Sequence, residues 1–336
     1  MNKRVLCFGE LLLRLSAPGK ELLLQSPSLQ VHIGGAEANV AVSLSRLGHR
    51  AGVVTTLPDN PIGHAGRAEL LRQGVDVQGV RMQNGRMGVY FLTHGAMQRP
   101  SEVLYDRADS AFALAPADAY DWHALLRECD WLHISGITPA VSVAAGDAAI
   151  AAMRFAHAQG ARISFDCNFR ARVWGQRASD APRVLRALAA EADLLFAEAR
   201  DIDFIFGTPF GAGTDAPGKA AAYAFESMPR LQWLASTARI RESVDDQEYA
   251  GTLRTRKGLH TSRKYSLTGI VDRIGAGDAF AAGLIDHLLT ETDPQSAIEF
   301  AVAAAVIKHS IPGDFNLVGR AEIAAVMSAL SADVRR

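Results

Sequence analysis

The chain has 336 residues, of which 49% are apolar and 21% are charged, and its net charge is −1. This length can bury a large core, either as one α/β domain or as a domain with an appendage. The near-neutral charge gives no sign of a nucleic-acid or membrane partner, and no apolar run approaches the roughly 20 residues that span a bilayer. The odd number of cysteines, without metal-type spacing, favours a reducing, cytoplasmic compartment over a disulfide framework.

Apolar runs that end in Gly, Asp or Thr alternate with helix-like stretches rich in Ala and Leu. The first run, residues 5–9, predicts a buried strand, and Glu10 and Arg14 interrupt the apolar stretch too soon for a signal peptide. Further strands are predicted over 51–57, 131–136, 162–166, 193–197 and 233–237. Helices are predicted over 36–47, 63–73, 141–159, 182–190, 277–289 and 294–309. This alternation predicts an α/β fold with a mostly parallel sheet, helices on both faces and a ligand at the carboxyl ends of the strands.

Two segments interrupt the alternation. Residues 11–33 follow the first strand without a clear helix, and residues 86–108 contain two strand-like runs joined by a turn-like segment. The second segment therefore predicts a hairpin, although both segments could be plain surface excursions. Because the chain shows no internal repeat or long linker, a single domain over residues 1–336 is expected.

The run from Gly275 to Asp278 is the strongest indication of function. Its glycines let backbone N–H groups approach an anion closely, and a helix that begins there adds the positive end of its dipole. We therefore expect Gly275, Ala276 and Gly277 to form an anion hole, with Asp278 as the base that accepts an alcohol proton during phosphoryl transfer. A turn capped by an aspartate before a helix is the simpler alternative.

A second glycine pair, Gly34 and Gly35, lies just before a predicted helix. The backbone can approach a ligand there, and Asn39 offers both a donor and an acceptor to sugar hydroxyls. Taken alone, this run is more simply a Gly-Gly turn.

Together, the two runs resemble the two signatures of the ribokinase-like (PfkB-type) sugar kinases, Gly-Gly-x-x-x-Asn and Asp-Thr-x-Gly-Ala-Gly-Asp-x-Phe. The chain follows the second signature from Asp272 to Phe280 but carries Arg273 where most members have Thr. This Asp-Arg-x-Gly form resembles the branch that phosphorylates 2-keto-3-deoxygluconate. The resemblance covers essentially the whole chain.

The resemblance implies that segments 11–33 and 86–108 form a small β-sheet lid over the sugar, a feature often used for dimerisation. An isolated hairpin is marginal in water, and Val89, Phe91 and Val103 supply alternating apolar positions that a partner lid could bury. We therefore expect a homodimer or a larger assembly of dimers.

Three side chains on the predicted hairpin suit a sugar acid. Tyr105 and Arg107 are two residues apart and so share one face of a strand, with Tyr90 on the neighbouring run. A ring can pack on the carbon skeleton while a guanidinium binds the carboxylate. An amphipathic surface strand is the alternative.

Asn168 and Arg170 follow the strand 162–166 and therefore lie at its ligand-facing end. They resemble the Asp-x-Asn-x-Arg segment of keto-deoxygluconate kinases, in which the arginine belongs to substrate binding. The alternative is a surface arginine paired with Asp166. Two arginines at the substrate favour an acidic sugar over fructose or ribose.

The nucleotide side is less clearly marked. Ser236, Thr237, Arg239 and Arg241 follow a strand, where hydroxyl and guanidinium groups could meet phosphates, and they resemble the Thr-x-Arg-Glu form of the same branch. On the resemblance, Lys308 and the segment that follows it line the adenine pocket; an ordinary helix end is the alternative. Asn168, Gly275 and Gly277 would contact the nucleotide as well.

Magnesium is expected with ATP. The family motif Asn-x-x-Glu, tied to magnesium hydration, is not intact, but Glu198 and Asp201 occupy its place. Two carboxylates three residues apart can hold metal-bound water, while a charged helix start explains them almost as well.

These observations predict a kinase that transfers the γ-phosphoryl group of Mg-ATP to O6 of 2-keto-3-deoxygluconate. The alternatives are the same chemistry on fructose or 2-keto-3-deoxygalactonate, or a non-catalytic sugar-acid sensor on the same fold. The absence of a Gly-x-x-x-x-Gly-Lys-Ser/Thr loop excludes a Walker-type ATPase, and the absence of Gly-x-Gly-x-x-Gly after the first strand argues against a dinucleotide-dependent dehydrogenase.

Overall fold

A computed structural model describes residues 2–211, 213–241, 243, 246–290 and 293–328, without the side chain of Arg241. The described strands are β1 (Arg4–Phe8), β2 (Leu12–Ser16), β3 (Gln30–Gly34), β4 (Arg50–Pro58), β5 (Val80–Gln83), β6 (Gly88–Thr93), β7 (Glu102–Asp106), β8 (Trp131–Ser135), β9 (Arg162–Asp166), β10 (Leu194–Phe196), β11 (Trp233–Arg241), β12 (Gln247–Thr255), β13 (Leu259–Thr261) and β14 (Tyr265–Leu267). The described helices are α1 (Ala36–Arg46), α2 (Pro61–Arg72), α3 (Trp122–Leu125), α4 (Ile137–Val141), α5 (Val143–Ala158), α6 (Ala171–Trp174), α7 (Ala181–Ala189), α8 (Ala199–Phe206), α9 (Ala216–Ser227), α10 (Ala276–Thr290), α11 (Pro294–Lys308) and α12 (Arg320–Ser328).

The large sheet has the strand order β13-β12-β11-β10-β9-β8-β1-β4-β5, and β14 pairs with β12. Every neighbouring pair from β11 to β5 is parallel, which confirms the predicted α/β fold. Successive residues of β1 point to opposite faces: Leu6 and Phe8 join the core layer that contains α5, α7 and α9, whereas Val5 and Cys7 join the layer that contains α1, α10 and α11. Burial on both faces explains why residues 5–8 of this strand are all apolar.

A separate small sheet has the order β3-β2-β6-β7. Each interrupting segment of the sequence supplies two of its strands, and the segments join through the parallel pair β2–β6. The pairs β2–β3 and β6–β7 are antiparallel. The description of the chain as one domain with an inserted lid stays a prediction.

The register of the small sheet corrects one prediction. Phe91 lies opposite Leu104, and Leu92 lies opposite Val103. Val103 therefore shares a face with Leu92 and packs in the same apolar cluster, so its predicted place beside Val89 and Phe91 is wrong. Leu104, with 59% of its surface exposed, takes that place on the outer face.

Between residues 141 and 267, the observed helices and strands differ in several places from those predicted from the sequence. The predicted strand 233–237 continues to Arg241 because β12 pairs with it antiparallel along its whole length, and β12 to β14 were not predicted. The predicted helix 141–159 divides at Ser142, whose backbone is extended and whose hydroxyl accepts a bond from the Ala145 N–H, so that it caps α5. None of the helices in the described residues is both long and apolar enough to cross a membrane.

Candidate active site

A cavity of about 670 Å³ lies where the small sheet meets the carboxyl edge of the large sheet and the first turns of α1 and α10. It brings together most of the side chains and glycines predicted from the sequence. The predicted residues that line it are Gly35, Asn39, Tyr90, Tyr105, Arg107, Asn168, Arg170, Arg239, Gly275, Gly277 and Asp278.

Asp278 stands in the first turn of α10, and the amide of Asn39 in α1 donates a 2.7 Å hydrogen bond to its Oδ2. The two residues are 239 positions apart in the sequence. The contact therefore joins the two glycine-containing runs at one point of the cavity. The hydrogen bond engages one of the two carboxylate oxygens of Asp278.

Burial raises the pKa of Asp278 to about 8, and the neighbouring carboxylates of Asp166 and Glu37 add to the increase against the hydrogen bond from Asn39. Burial likewise raises the pKa of Asp166, which lines the same cavity, to about 7, although Arg170 opposes the shift. A carboxylate with a pKa near neutrality is a stronger base than an ordinary aspartate, and such shifts are typical of functional sites.

The predicted anion hole has the geometry of a helix start. Gly275 has φ +82, and a side chain added there would collide with the carbonyl oxygen of Asp314, so the position requires glycine. Gly275 and Gly277 line the cavity, whereas Ala276 is buried beneath them. The Ala276 N–H donates to the carbonyl oxygen of Arg273 at 3.3 Å. The N–H groups that follow it in the first turn of α10 have no intrahelical acceptors and can face an anion.

The two arginines predicted to bind the substrate differ in their surroundings. Arg107 is 7% exposed and donates two hydrogen bonds, of 2.8 and 2.5 Å, to the buried carboxylate of Glu10. Arg170 is exposed at the cavity, and its guanidinium donates to the carbonyl oxygen of Phe169. The alternative pairing of Arg170 with Asp166 is not formed, although the two charges influence each other.

Sequence reasoning missed the partners of Tyr90. Its hydroxyl donates a 2.5 Å hydrogen bond to Asp314, which also accepts from Arg14. Gly34, which does not line the cavity, packs against the carboxylate of Asp314, where a side chain would collide. Aspartate after Pro-Gly was the only sequence signal for Asp314, because Arg14 lies 300 residues away.

Fewer of the residues predicted for the nucleotide reach the cavity. Arg239 lines it and lies over the ring of Tyr249, 5.3 Å from its centre. Ser236 and Thr237 do not line it; they lie within β11 and not beyond it, and Ser236 hydrogen-bonds Thr252 across the strand pair. The side chain of Arg241 lies outside the described residues.

Lys308 is fully buried at the end of α11, and its ammonium donates to the carbonyl oxygen of Ile311 at 2.9 Å. It lies beneath the anion-hole loop, not in the cavity.

Glu198 and Asp201 cap α8. The backbone N–H of Glu198 donates to the Asp201 carboxylate at 2.7 Å, and the Glu198 side chain accepts from the backbone N–H of Asp201. The nucleotide role of Lys308 and the metal role of Glu198 and Asp201 stay predictions.

A mainly parallel α/β sheet with a small sheet at its carboxyl edge, and a glycine-containing helix start beside a buried carboxylate, is an arrangement suited to phosphoryl transfer to an alcohol. Residues 2–315 match the pfkB family of carbohydrate kinases, and the chain belongs to this family. It is an ATP-dependent carbohydrate kinase.

The chain is similar to several kinases named for 2-dehydro-3-deoxy sugar acids, and also to fructokinases. The chain is 31% identical to the 2-dehydro-3-deoxygalactonokinase of Haloferax volcanii over 100% of both chains. It is 27% identical to the 2-dehydro-3-deoxygluconokinase of Bacillus subtilis, over 88% of this chain and 87% of the relative. The crystal structure of the 2-dehydro-3-deoxygluconokinase of Thermotoga maritima superposes with a TM-score of 0.93 at 37% identity, over 98% of this chain and 99% of the other.

Proposed function

We propose that the enzyme transfers the γ-phosphoryl group of ATP to O6 of 2-keto-3-deoxygluconate (2-dehydro-3-deoxygluconate), giving 2-keto-3-deoxy-6-phosphogluconate. The observation that carries the proposal is the convergence of Asp278, Gly275, Gly277 and two arginines on one cavity. The relatives named for this substrate and for its epimer support the choice of a sugar acid.

In this proposal Asp278 accepts the proton of the O6 hydroxyl as the oxygen attacks the γ-phosphorus. Asn39 holds one carboxylate oxygen, so the other is directed at the hydroxyl. The amides of Gly275, Ala276 and Gly277 stabilise the charge that develops on the transferred group. The raised pKa of Asp278 makes it a base suited to near-neutral pH.

The carboxylate of the substrate distinguishes it from neutral sugars. Arg170 is exposed at the cavity and can present two N–H groups to a carboxylate. Arg107 is held in place by Glu10, so it offers a fixed direction for a further bond. Tyr105, whose ring lies 5.9 Å from the Arg107 guanidinium, provides an apolar face for the carbon skeleton. Gly35, Tyr90 and Asn168 complete the lining of the proposed sugar site, and Gly34 would support it from behind, where it packs on the Asp314 carboxylate.

We propose that ATP binds as its magnesium complex. Magnesium is usually held by substrate phosphates, water and one or two carboxylates, and the described residues contain no group of three or more acidic, His or Cys side chains that could cage a metal. Glu198 and Asp201 would hold it through water. When bound, magnesium neutralises charge on the phosphate oxygens.

For the rest of the nucleotide, Arg239 is the proposed phosphate contact from β11, since it is exposed and lines the cavity. Ser236, Thr237, Arg241 and Lys308 retain their proposed places around the nucleotide. Because the three cysteines are unpaired thiols and the reaction consumes ATP, we propose a cytoplasmic location.

The C4 epimer, 2-keto-3-deoxygalactonate, is the second candidate, because the relative from Haloferax volcanii is named for it. Initial rates with each epimer and ATP, with the product examined by phosphorus NMR, test the choice. We expect a higher kcat/KM for the gluco epimer and a phosphate on the terminal carbon. A higher kcat/KM for the galacto epimer would assign that substrate instead, and an anomeric phosphate would contradict the proposed chemistry.

We also propose that the enzyme dimerises through the small sheet. Its outer face carries the cross-strand row Val31, Leu15, Phe91 and Leu104, of which Val31 and Leu104 are 60% and 59% exposed. A continuous apolar row on a sheet face is typical of an interface. Light scattering should give twice the 36.0 kDa chain mass, and Leu104→Asp should halve it. An active wild-type monomer would contradict this.

A further inference from the structure

A buried ionic cluster connects the small sheet to the loop that precedes α10. It consists of Arg14 from β2, Tyr90 from β6, and Asp272 and Asp314 from two loops, and we call it the Arg14 cluster. Arg14 contacts Asp272 at 2.7 Å and Asp314 at 3.0 Å, and all three side chains are at most 2% exposed. The Tyr90 hydroxyl donates to the second oxygen of Asp314.

Such a cluster is a costly way to stabilise a fold. Removing a guanidinium and two carboxylates from water carries a large desolvation penalty, and well-packed apolar residues often stabilise a core as well or better. Burial is indeed the largest influence on the pKa of Arg14, and the two aspartates overcome it and raise that pKa. A buried ion pair can hold the surrounding structure in one specific geometry, and such a role would account for the desolvation cost of this cluster.

The geometry that the cluster fixes is that of the anion hole. Asp272 accepts hydrogen bonds from the N–H groups of Ile274 and Gly313, both at 3.0 Å. The backbone of Gly275 in turn packs directly on the carbonyl oxygen of Asp314. The two aspartates held by Arg14 therefore support the glycine loop from two sides. Asp272 belongs to the loop itself and bonds its backbone, whereas the backbone of Asp314 packs beneath Gly275.

We propose that Arg14 is a positioning residue that fixes the 272–278 loop to the small sheet and thereby sets the anion hole relative to the sugar. Arg14 contacts Asp272 and Asp314 with two different guanidinium nitrogens. A lysine has a single ammonium nitrogen and cannot reproduce this planar, two-pronged contact. The kinetic part of this proposal rests on the proposed function, whereas the structural part does not.

Amide hydrogen exchange tests the structural part without turnover. In Arg14→Met, we expect the peptide covering residues 272–280 to exchange at least about tenfold faster than in wild type, because local opening removes protection. Arg320→Met is the control: Arg320, which is 44% exposed, also pairs with a buried carboxylate of α10, Asp286 at 2.5 Å, but outside the cavity and away from the 272–278 loop. Exchange of this peptide within about twofold of wild type, or equally fast in the control, would overturn the proposal.

Steady-state kinetics tests the catalytic part. A misplacement of about 1 Å can cost roughly 100-fold in rate, so kcat of Arg14→Met should fall by about that factor while the KM for ATP changes by less than about threefold. Arg14→Lys keeps the charge and should lie between; it replaces the Met variant if that variant does not fold. A kcat close to wild type in a folded variant would contradict the inference. A wild-type enzyme without sugar-acid kinase activity would instead contradict the proposed function, and hydrogen exchange would still decide the role of Arg14.

Discussion

The two ends of the cavity are built in different ways. On the proposed sugar side, Arg107 and Tyr90 are 7% and 6% exposed, and each is bonded to a buried carboxylate. On the proposed nucleotide side, Arg239 is exposed on a long antiparallel strand and lies over a tyrosine ring. A preorganised site can distinguish similar sugars, because a mismatched ligand leaves its buried polar groups unpaired. On our proposal the nucleotide end relies more on backbone N–H groups at a helix start, which can bind any phosphate.

The two ends of the cavity meet at Asp278, and its substitution should have the largest effect. Asp278→Asn should lower kcat by about 10²–10⁴-fold, the contribution of a positioned base. Sugar binding measured by calorimetry should stay within a few-fold of wild type, since the Asn39 contact can persist. Asp147→Asn, the same change at an exposed position of α5, is the control. Turnover of Asp278→Asn within a few-fold of wild type would remove Asp278 from the role of base.

A second change tests the preorganised sugar end. Arg107→Ala leaves the 1%-exposed Glu10 carboxylate without its charged partner, with the Ser110 hydroxyl as a remaining donor, and breaking a buried pair in this way costs about 3–5 kcal/mol. Arg86→Ala removes an exposed pair with Asp106 beside the same sheet and should cost much less, because water screens the two charges. Urea unfolding gives both values, and equal losses would show that the Glu10 pair does not hold the sugar end together.

A third change separates recognition from stability. Arg170→Ala should weaken binding of the sugar acid by about 1.5–3 kcal/mol, the range of a charged hydrogen bond. Binding of a neutral sugar and the unfolding free energy should change little, because Arg170 is exposed. Arg186→Ala, an exposed arginine of α7 that does not line the cavity, serves as the control. An equal loss of affinity for sugar acid and fructose would contradict carboxylate recognition by Arg170.

The smallest expected effect is the pH dependence. The pKa of Asp278 is about 8, and the base acts only when ionised, so kcat/KM should rise with pH and level off above about pH 8. Asp166→Asn removes a nearby negative charge and should shift the rising part of the kcat/KM profile to lower pH. A kcat/KM that is already constant from about pH 6 would contradict the assignment.

The same pKa predicts a stability effect of definite sign. The folded-state pKa of Asp278 lies above that of an exposed aspartate, about 3.9, so the folded protein binds the proton more tightly. Stability should therefore fall as the pH rises from about 4 to about 8. Asp278→Asn removes this dependence, and its Tm should exceed that of wild type at pH values near 8. A lower Tm for the variant would show that burial of Asp278 is not unfavourable.

The sequence predicted those parts of the site that depend on local order along the chain. Gly275, Asp278, Asn39 and Arg170 each follow a strand or begin a helix, and the carboxyl edge of a parallel sheet brings such positions together. Pairings over long separations were not accessible in this way. The side-chain contact between Arg14 and Asp314 depends on the small sheet lying over the large one, which no local pattern encodes.

The same distinction explains the errors in the elements. The strand 233–237 was predicted too short because its continuation, rich in Arg, is polar and gains its pairing only from β12. Val103 was assigned to the wrong face because an alternating apolar pattern does not fix the register between two strands; here the pairing of Leu92 with Val103 fixes it.

We propose that the enzyme selects a sugar acid at this cavity and phosphorylates it. The most direct test is kcat/KM of the wild-type enzyme with ATP and each of 2-keto-3-deoxygluconate, its C4 epimer, fructose and ribose, with ADP formation as the readout. The keto acids should exceed both neutral sugars by at least about tenfold, because each charged hydrogen bond to a carboxylate contributes about 1.5–3 kcal/mol. A higher kcat/KM for fructose or ribose would contradict the account.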